Sequence, residues 1–333
     1  IIDKNNAYLT WNQVLLNLLD NPSISSKAWI YNQYDYQVQA NTILKPGIAD
    51  AAVIRLRPQE GEDSNLNTNR AVAAVVDCPN RWVYLDPERG SIAAVIEAYR
   101  NITCVGGIPL AITDNLNFAS PESSIGYWQL ASSCRGISLA CSAMNTPVTG
   151  GNVSLYNETK DLENNFQPIH PTPIIGMVGL IENIDNICTQ SWKESGDNIY
   201  LLRIESYYKQ ENDLQITLSG TAYLECIHGL ITGRPPKIEF EAEKLFQAYL
   251  IKLINEKLIK SAHDLSEGGF AISLAECCIS SGLGVDISLE TSSERIDRLL
   301  FAEGGPRVLI STSKQNKSKL QEYLNSFNNN SKF

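Results

Sequence analysis

Three apolar segments of strand length constrain the fold of this chain more than any other feature. They occupy residues 71–76, 108–114 and 171–181, and the first is entirely apolar. Runs of this kind are typical of strands buried in the middle of a sheet. The first is followed by Asp77, and the second ends at Asp114. None approaches the roughly 20 apolar residues that a membrane-spanning helix needs. The sequence therefore predicts a protein built around a buried sheet, without a membrane segment.

Helix start signals lie before and between these strands. Thr10-Trp-Asn-Gln13 is a capping box that predicts a short helix ending at Asp20-Asn-Pro22. Asp86-Pro87-Glu88 places proline at the first helical position after an N-cap, and Ser120-Pro-Glu122 has the same form. We expect helices to begin at both, the second one stopping at Asn145-Thr-Pro147. Strands that alternate with helices predict an α/β, or α+β, fold.

Composition limits the classes of function. The chain has 333 residues, of which 43% are hydrophobic, enough for a large core and two domains. Its net charge of −10 argues against nucleic-acid partners. Phosphate groups would have to be bound locally, by metal ions and backbone amides. The eight cysteines form no Cys-x-x-Cys pair, which favours a reducing, cytoplasmic location. The chain begins with Ile1, so we expect a piece of a longer protein.

Three segments are predicted along the chain. Residues 1–30 form a leading helical segment, 31–185 an α/β domain that carries the ligand-binding loop, and 195–333 a second α/β domain that is cut short. Residues 59–70 are predicted as a surface loop and 184–196 as the linker between the domains. In the second domain we expect a strand at 198–204, a helix at 239–258, a Gly-Gly helix start at 268–269, a last strand from 307, and an end from 325 that is frayed or cut.

The segment 146–158 contains the strongest candidate for a ligand-binding loop. It reads as a short strand, a Gly150-Gly151 turn and the polar residues Asn152 and Ser154. A turn of this kind can present successive amides to a phosphate. Asn152 offers a carbonyl oxygen to a hard cation, and Ser154 a hydroxyl to a polar substrate. A plain hairpin turn explains the glycines equally well, so the residues alone leave both interpretations open.

Other candidate residues also have two interpretations. Asp114 and Asp77 follow apolar strands, where they suit a nucleotide–magnesium site, but aspartates there commonly cap helices or turns. His263 precedes the Gly268-Gly269 helix start, and capping or packing against that turn is favoured over acid–base chemistry.

Five segments, in order, carry a family resemblance. They are Gln33-Tyr-Asp35 with Asn41-Thr42, Asp77-Cys78 with Tyr84-Leu-Asp-Pro87, Thr113-Asp-Asn-Leu-Asn-Phe118, Thr149-Gly-Gly-Asn-Val-Ser-Leu-Tyr-Asn157 and His263-Asp-Leu-Ser-Glu-Gly-Gly269. Together they resemble the second half of the phosphoribosylformylglycinamidine synthase family over nearly the whole chain. One segment alone is a weak signal, whereas five in the family's order are specific.

The resemblance implies one unit like aminoimidazole ribonucleotide synthetase, with a sheet-rich, dimerisation-type N-terminal domain and an α/β C-terminal domain. The implied reaction is ATP-dependent C–N ligation, in which ammonia from glutamine converts formylglycinamide ribonucleotide to the amidine. By position, Asp114 and Gly151 match ATP contacts, Asn152 a magnesium ligand and Ser154 a substrate contact. The family's catalytic histidine belongs to the first half, so no catalytic residue is expected here.

The implied partners are the N-terminal half of the same synthase, a glutaminase subunit and a small accessory subunit, with no nucleic acid and no membrane. Two alternatives stay open. One is a stand-alone relative of the fold, such as aminoimidazole ribonucleotide synthetase or thiamine-phosphate kinase, although Asn-Val-Ser-Leu-Tyr-Asn after Gly-Gly speaks against both. The other is a non-catalytic scaffold half. Ala119, where the family usually has glycine, and the early end of the chain are departures from the family pattern.

Overall fold

The structure is a computed structural model that describes residues 1–57, 69–204, 216–289 and 295–330. The loop predicted for 59–70 therefore lies largely outside the described residues. The helices are α1 Trp11–Leu19, α2 Ala28–Tyr31, α3 Asn80–Leu85, α4 Pro87–Cys104, α5 Ser124–Met144, α6 Ala222–His228, α7 Phe240–Asn255, α8 Gly269–Ser281, α9 Ile296–Phe301 and α10 Lys317–Asn330. The strands are β1 Thr42–Leu44, β2 Ala52–Arg55, β3 Ala71–Asp77, β4 Ile108–Asn117, β5 Val148–Ser154, β6 Glu158–Lys160, β7 Phe166–Pro168, β8 Thr172–Ile181, β9 Asn198–Arg203, β10 Ser261–Asp264 and β11 Arg307–Thr312.

A six-stranded sheet forms the N-terminal part, in the order β1-β2-β3-β8-β4-β5. Neighbouring strands are antiparallel except β4 and β5, which are parallel. The apolar runs at 71–76 and 171–181 are β3 and β8 in the centre, as predicted. They are buried on one face only, since Val76 and Val178 are exposed on the other. Helices α4 and α5 cover one face, and their apolar side chains join those of the strands in one core. The opposite face, which we call the open face, carries exposed side chains.

The helix signals are confirmed at two places and wrong at one. Thr10 and Gln13 make both bonds of a capping box at the start of α1. Asp86 caps α4, with proline at the first helical position. The Ser120-Pro-Glu122 signal is displaced, because the N-cap of α5 is Ser123, whose hydroxyl accepts the Gly126 N–H at 3.0 Å. The carbonyl of Ser120 accepts the Ser123 hydroxyl at 3.0 Å, so the tripeptide forms the turn before the helix.

A three-stranded antiparallel sheet, in the order β10-β11-β9, forms the C-terminal part. One face packs against α7 and the other against α8. Gly268 and Gly269 both have positive φ and open α8, as the sequence predicted. The chain does not fray at residue 325, because α10 continues to Asn330. Leu320 at the start of this helix is buried in the core.

A buried ion-pair network joins the two parts. The Arg100 guanidinium on α4 donates from Nε to Asp264 Oδ1 at 2.8 Å and from one terminal nitrogen to Glu243 Oε1 at 3.1 Å. All three side chains are at most 7% exposed. Burial lowers the pKa of Arg100, but the neighbouring carboxylates raise it above its ordinary value. The guanidinium therefore remains charged and paired inside the protein.

Candidate functional site

The segment with the paired glycines is a strand and not a turn. Residues 148–154 form the continuous edge strand β5, and neither Gly150 nor Gly151 has a positive φ. Both interpretations of the glycines, a phosphate-cradling turn and a hairpin, are therefore wrong. The physical reason is that α5 crosses over from β4 to β5, so β5 pairs in parallel along the edge of β4.

The Asp114 side chain leaves no room for a side chain at position 151. Gly151 pairs in register with Asp114 of β4, and a Cβ built on Gly151 would lie 1.9 Å from Asp114 Oδ1. A side chain at this position would displace the carboxylate. The prediction that Asp114 ends its strand is also wrong, since β4 continues to Asn117. The strands β4 and β5 pair as far as Asn117 and Ser154, which extends β4 past the aspartate.

Asp114 faces a groove beside α5. The cavity measures about 440 Å³, and its lining includes Asp114, Cys134, Ile137, Cys141 and Val148. Partial burial raises the pKa of Asp114 above its ordinary value. Within the described ranges, no hydrogen bond or ion pair joins this carboxylate to another side chain. A carboxylate at the wall of a groove is suited to accept a hydrogen bond from a ligand's hydroxyl or amino group.

Asn152 and Ser154 lie on the other side of the sheet. In the parallel register Asn152 is next to Asn115, and Ser154 is next to Asn117. Asn152 Nδ2 donates to Asn115 Oδ1 at 3.2 Å and to Ser154 Oγ at 3.3 Å. We call Asn115, Asn117, Asn152 and Ser154 the polar strip. The structure thus brings the four predicted residues together in two pairs on opposite faces of β4 and β5, Asp114 with Gly151 and Asn152 with Ser154.

Asp77 shares the helix-covered face with Asp114, separated from it by Ile175 of β8. The amide of Asn101 on α4 donates to both oxygens of Asp77, at 3.3 and 3.1 Å. Burial raises the pKa of Asp77 to about 7, against the effect of the Asn101 hydrogen bond. This aspartate is therefore already bonded within the chain, and burial favours its protonated form.

His263 does not cap the Gly268-Gly269 turn, because both of its ring nitrogens bond to carboxylates outside that turn. It lies in β10, where Nδ1 is 2.6 Å from Asp50 Oδ1 and Nε2 is 3.0 Å from Glu276 Oε2. The second oxygen of Asp50 accepts the Asp264 N–H at 2.7 Å. Burial lowers the pKa of His263, but the two carboxylates together raise it well above its ordinary value. A histidine held charged between two carboxylates bridges the two parts of the molecule and is a poor general base.

The open face offers one oxygen ligand to a metal ion, but not a complete set of ligands. In the part of the chain that the structure describes, no three His, Cys, Asp or Glu side chains are grouped to hold a metal ion. The amide oxygen of Asn152 is a hard donor of the type that Mg²⁺ accepts, but the Asp114 carboxylate is on the opposite face of the sheet. The polar strip therefore suits a site that is completed from elsewhere.

The described residues give no sign of a membrane span. None of their helices combines the length and the apolar character that crossing a membrane requires.

The fold defines an α/β unit of a known class. Residues 49–181 match the family described as AIR synthase related protein, N-terminal domain, and residues 194–332 match its C-terminal domain. The chain belongs to the AIR synthase related family. The predicted fold class, a sheet-rich N-terminal part followed by an α/β C-terminal part, is confirmed.

The curated relatives are proteins named phosphoribosylformylglycinamidine synthase subunit PurL. The chain is 58% identical over 317 residues to the protein of Prochlorococcus marinus strain MIT 9303, a match that covers 95% of this chain and 40% of that protein. It is 54% identical over 301 residues to the protein of Synechococcus sp. strain WH7803, covering 90% of this chain and 39% of that protein. The chain thus spans about two fifths of the length of these relatives.

Solved structures share the fold. Thermotoga maritima PurL complexed with FGAR matches with a TM-score of 0.66 at 17% identity, over 97% of this chain and 49% of that one. Thermotoga maritima PurL complexed with ATP matches with a TM-score of 0.57 at 21% identity, over 87% of this chain and 38% of that one.

Sequence reasoning misses part of the site and the whole of the buried network. Asn115 and Asn117 belong to one of the family segments but have no predicted role. Their spacing of two residues, on a strand that continues past Asp114, is the signal that could have placed them on one face. Arg100 pairs with residues that are 143 and 164 positions away, and no local pattern reveals such contacts.

Proposed function

We propose that this chain is the C-terminal half of a phosphoribosylformylglycinamidine synthase. With the rest of the synthase it would catalyse the ATP-dependent conversion of formylglycinamide ribonucleotide to the amidine, with ammonia from glutamine. The relatives carry that name, and the chain accounts for about two fifths of their length. In this proposal, residues 31–185 and 195–333 are the two domains of the half, after a leading segment at 1–30.

The observation that carries the proposal is the composition of the open face. Its apolar region includes Ile54, Val76 and Val178, which remain 46%, 71% and 41% exposed. The polar strip lies beside this region on the same face. A contiguous exposed apolar region next to polar groups is characteristic of an interaction site. The N-terminal half of the same synthase is the partner that this proposal assigns to it.

Four residues receive roles in the shared site. Asp114, with its carboxylate at the groove, and Gly151, which leaves room for it, would contact ATP. Asn152 would supply one oxygen ligand to Mg²⁺, and the hydroxyl of Ser154 would contact the ribonucleotide. When bound, Mg²⁺ would neutralise phosphate charge. The remaining ligands and the catalytic histidine would come from the N-terminal half, so this chain only binds and orients.

The proposal also covers the partner subunits of the complex and its location in the cell. A glutaminase subunit and a small accessory subunit would complete the complex, and a structure of PurLQS from Thermotoga maritima matches this chain with a TM-score of 0.55. All eight cysteines are free, which supports a reducing cytoplasmic location.

Turnover assays on the separate and combined parts test the proposal. The isolated chain should produce no amidine from formylglycinamide ribonucleotide, ATP, Mg²⁺ and ammonia, whereas addition of the remaining part of the synthase should restore synthesis. Product from the purified chain alone would contradict the half-enzyme assignment. A combined protein that binds nucleotide but has no turnover would indicate a scaffold half.

A further inference from the structure

Asn115 is the residue that fixes how the polar strip presents its groups. It lies on β4 directly beside Asn152 of β5 in the parallel register, with both side chains on the open face. Its Oδ1 accepts a hydrogen bond from Asn152 Nδ2 at 3.2 Å. The same nitrogen also donates to Ser154 Oγ at 3.3 Å.

These contacts determine which atoms of Asn152 and Ser154 are left for a ligand. A side-chain amide has one acceptor oxygen and one donor nitrogen. Since the nitrogen of Asn152 makes both contacts within the strip, its oxygen remains available to a ligand. Ser154 accepts from Asn152 with its oxygen, so its own proton is available for donation. A rotated Asn152 amide would present N–H groups where a cation requires an oxygen.

We propose that Asn115 is a positioning residue for the shared site. It holds Asn152 with Oδ1 directed to the cation, and through Asn152 it leaves the Ser154 hydroxyl available to donate to the ribonucleotide. This inference rests on the proposed function, because it takes the roles of Asn152 and Ser154 from it. Asn115 itself contacts neither the cation nor the substrate.

The test uses the complete synthase and compares two variants of Asn115. Asn115→Leu keeps the shape but removes the acceptor, while Asn115→Asp keeps an acceptor oxygen for Asn152. Mn²⁺ serves as the probe, and its binding in the presence of a non-hydrolysable ATP analogue is followed by electron paramagnetic resonance. The Michaelis constant for the ribonucleotide is measured in parallel.

Asn115→Leu should weaken Mn²⁺ binding by about 10-fold, as is usual when a residue that orients a metal ligand is lost. The Michaelis constant should rise, and kcat at saturating Mg²⁺ and substrate should be largely retained. Asn115→Asp should restore Mn²⁺ binding. The matched control is Thr113→Val. It removes the 3.0 Å hydrogen bond from Thr113, on the same face of β4, to the Gly150 carbonyl, a bond that does not involve Asn152, and it should change neither quantity.

Parallel measurement of Asn152→Leu separates the role of Asn115 from that of Asn152. If Asn152→Leu weakens Mn²⁺ binding and Asn115→Leu does not, the positioning role is overturned while the proposed metal ligand stands. If Thr113→Val has the same effect as Asn115→Leu, the effect is structural and the positioning role is again overturned. If Asn152→Leu leaves Mn²⁺ binding unchanged, both the metal role of Asn152 and the role of Asn115 are wrong.

Discussion

The buried network that joins the two parts and the polar strip on the open face both consist of polar side chains, but the first is enclosed by protein and the second faces solvent. Asp264 and Glu243 each pair with Arg100, and all three side chains are almost completely buried. Asn152 and Asn115 are exposed, and the bond between them lies within the strip itself.

This difference distinguishes structural from functional polar groups. A buried charge must find its partners within the folded chain, because an unpaired one costs several kcal/mol. An exposed amide has no such requirement, since water can satisfy it. Loss of one partner in the network is therefore costly to the fold, whereas the strip is free to be used for a ligand. Substitutions in the two regions should accordingly differ in what they change, with the greatest losses of stability in the network.

Arg100→Met should have the largest effect on stability. It leaves the Asp264 and Glu243 carboxylates buried without their cation, which costs about 3–5 kcal/mol. Urea unfolding of the isolated chain measures the loss. The matched control is Arg70→Met, which removes a 2.8 Å ion pair to Glu182 whose partners are both 53% exposed, and it should cost about 1 kcal/mol or less. Equal losses in the two variants would show that burial of the network contributes nothing.

Gly151→Ala should have a moderate effect on stability and a severe one on nucleotide binding. The new Cβ would overlap Asp114 Oδ1, and such overpacking costs about 1–3 kcal/mol. In the complete synthase, the rise in Tm on addition of ATP and Mg²⁺ should be nearly lost, because the displaced carboxylate no longer meets the nucleotide.

Gly150→Ala is the control for that experiment. A Cβ at Gly150 meets nothing within 4 Å, so the variant should keep both its stability and its ligand-induced rise in Tm. A Gly151→Ala protein that retains the full rise would show that Asp114 is not a nucleotide contact.

Asn152→Leu should leave the free energy of unfolding within about 0.5 kcal/mol of wild type, because the side chain is exposed. It should nevertheless raise the Mg²⁺ concentration needed for half-maximal activity of the complete synthase. A magnesium titration with the wild-type midpoint would reduce Asn152 to an ordinary strand residue.

The smallest expected effect is on the pH dependence of stability, and it comes from Asp77. Burial raises its pKa to about 7 from the ordinary value of 3.8. Its contribution to the free energy of unfolding is therefore fully present below pH 3.8 and is lost as the pH rises through 7. His263, whose pKa is raised well above 6.5, also loses its contribution at higher pH. As the pH is raised from 5 to 8, the Tm of Asp77→Asn should therefore rise relative to that of wild type by at least about 2 °C. A constant difference would mean that Asp77 is ionised throughout this range.

Sequence patterns predict elements where the cause is local. The capping box of Thr10, the proline after Asp86 and the apolar run at 71–76 each depend on neighbouring residues, and all three are confirmed. The prediction for the glycine pair at 150–151 is wrong because the reason for Gly151 is a contact with Asp114, on another strand. The prediction that His263 caps the Gly268-Gly269 turn is wrong for the same reason, since its hydrogen-bond partner Asp50 lies 213 residues away. The sequence identifies the four candidate residues, but their division between two faces depends on the parallel pairing of β4 with β5.

A site shared between this chain and the remaining part of the synthase is tested most directly by calorimetric titration with a non-hydrolysable ATP analogue and Mg²⁺. The titration is done on the isolated chain and on the chain combined with the remaining part. The combined protein should bind at least about 100-fold more tightly, a difference of about 2.7 kcal/mol, and Asn152→Leu should weaken only the magnesium-dependent part. Equal affinity of the isolated chain and the combined protein would contradict a shared site, because the site would then be complete within this chain.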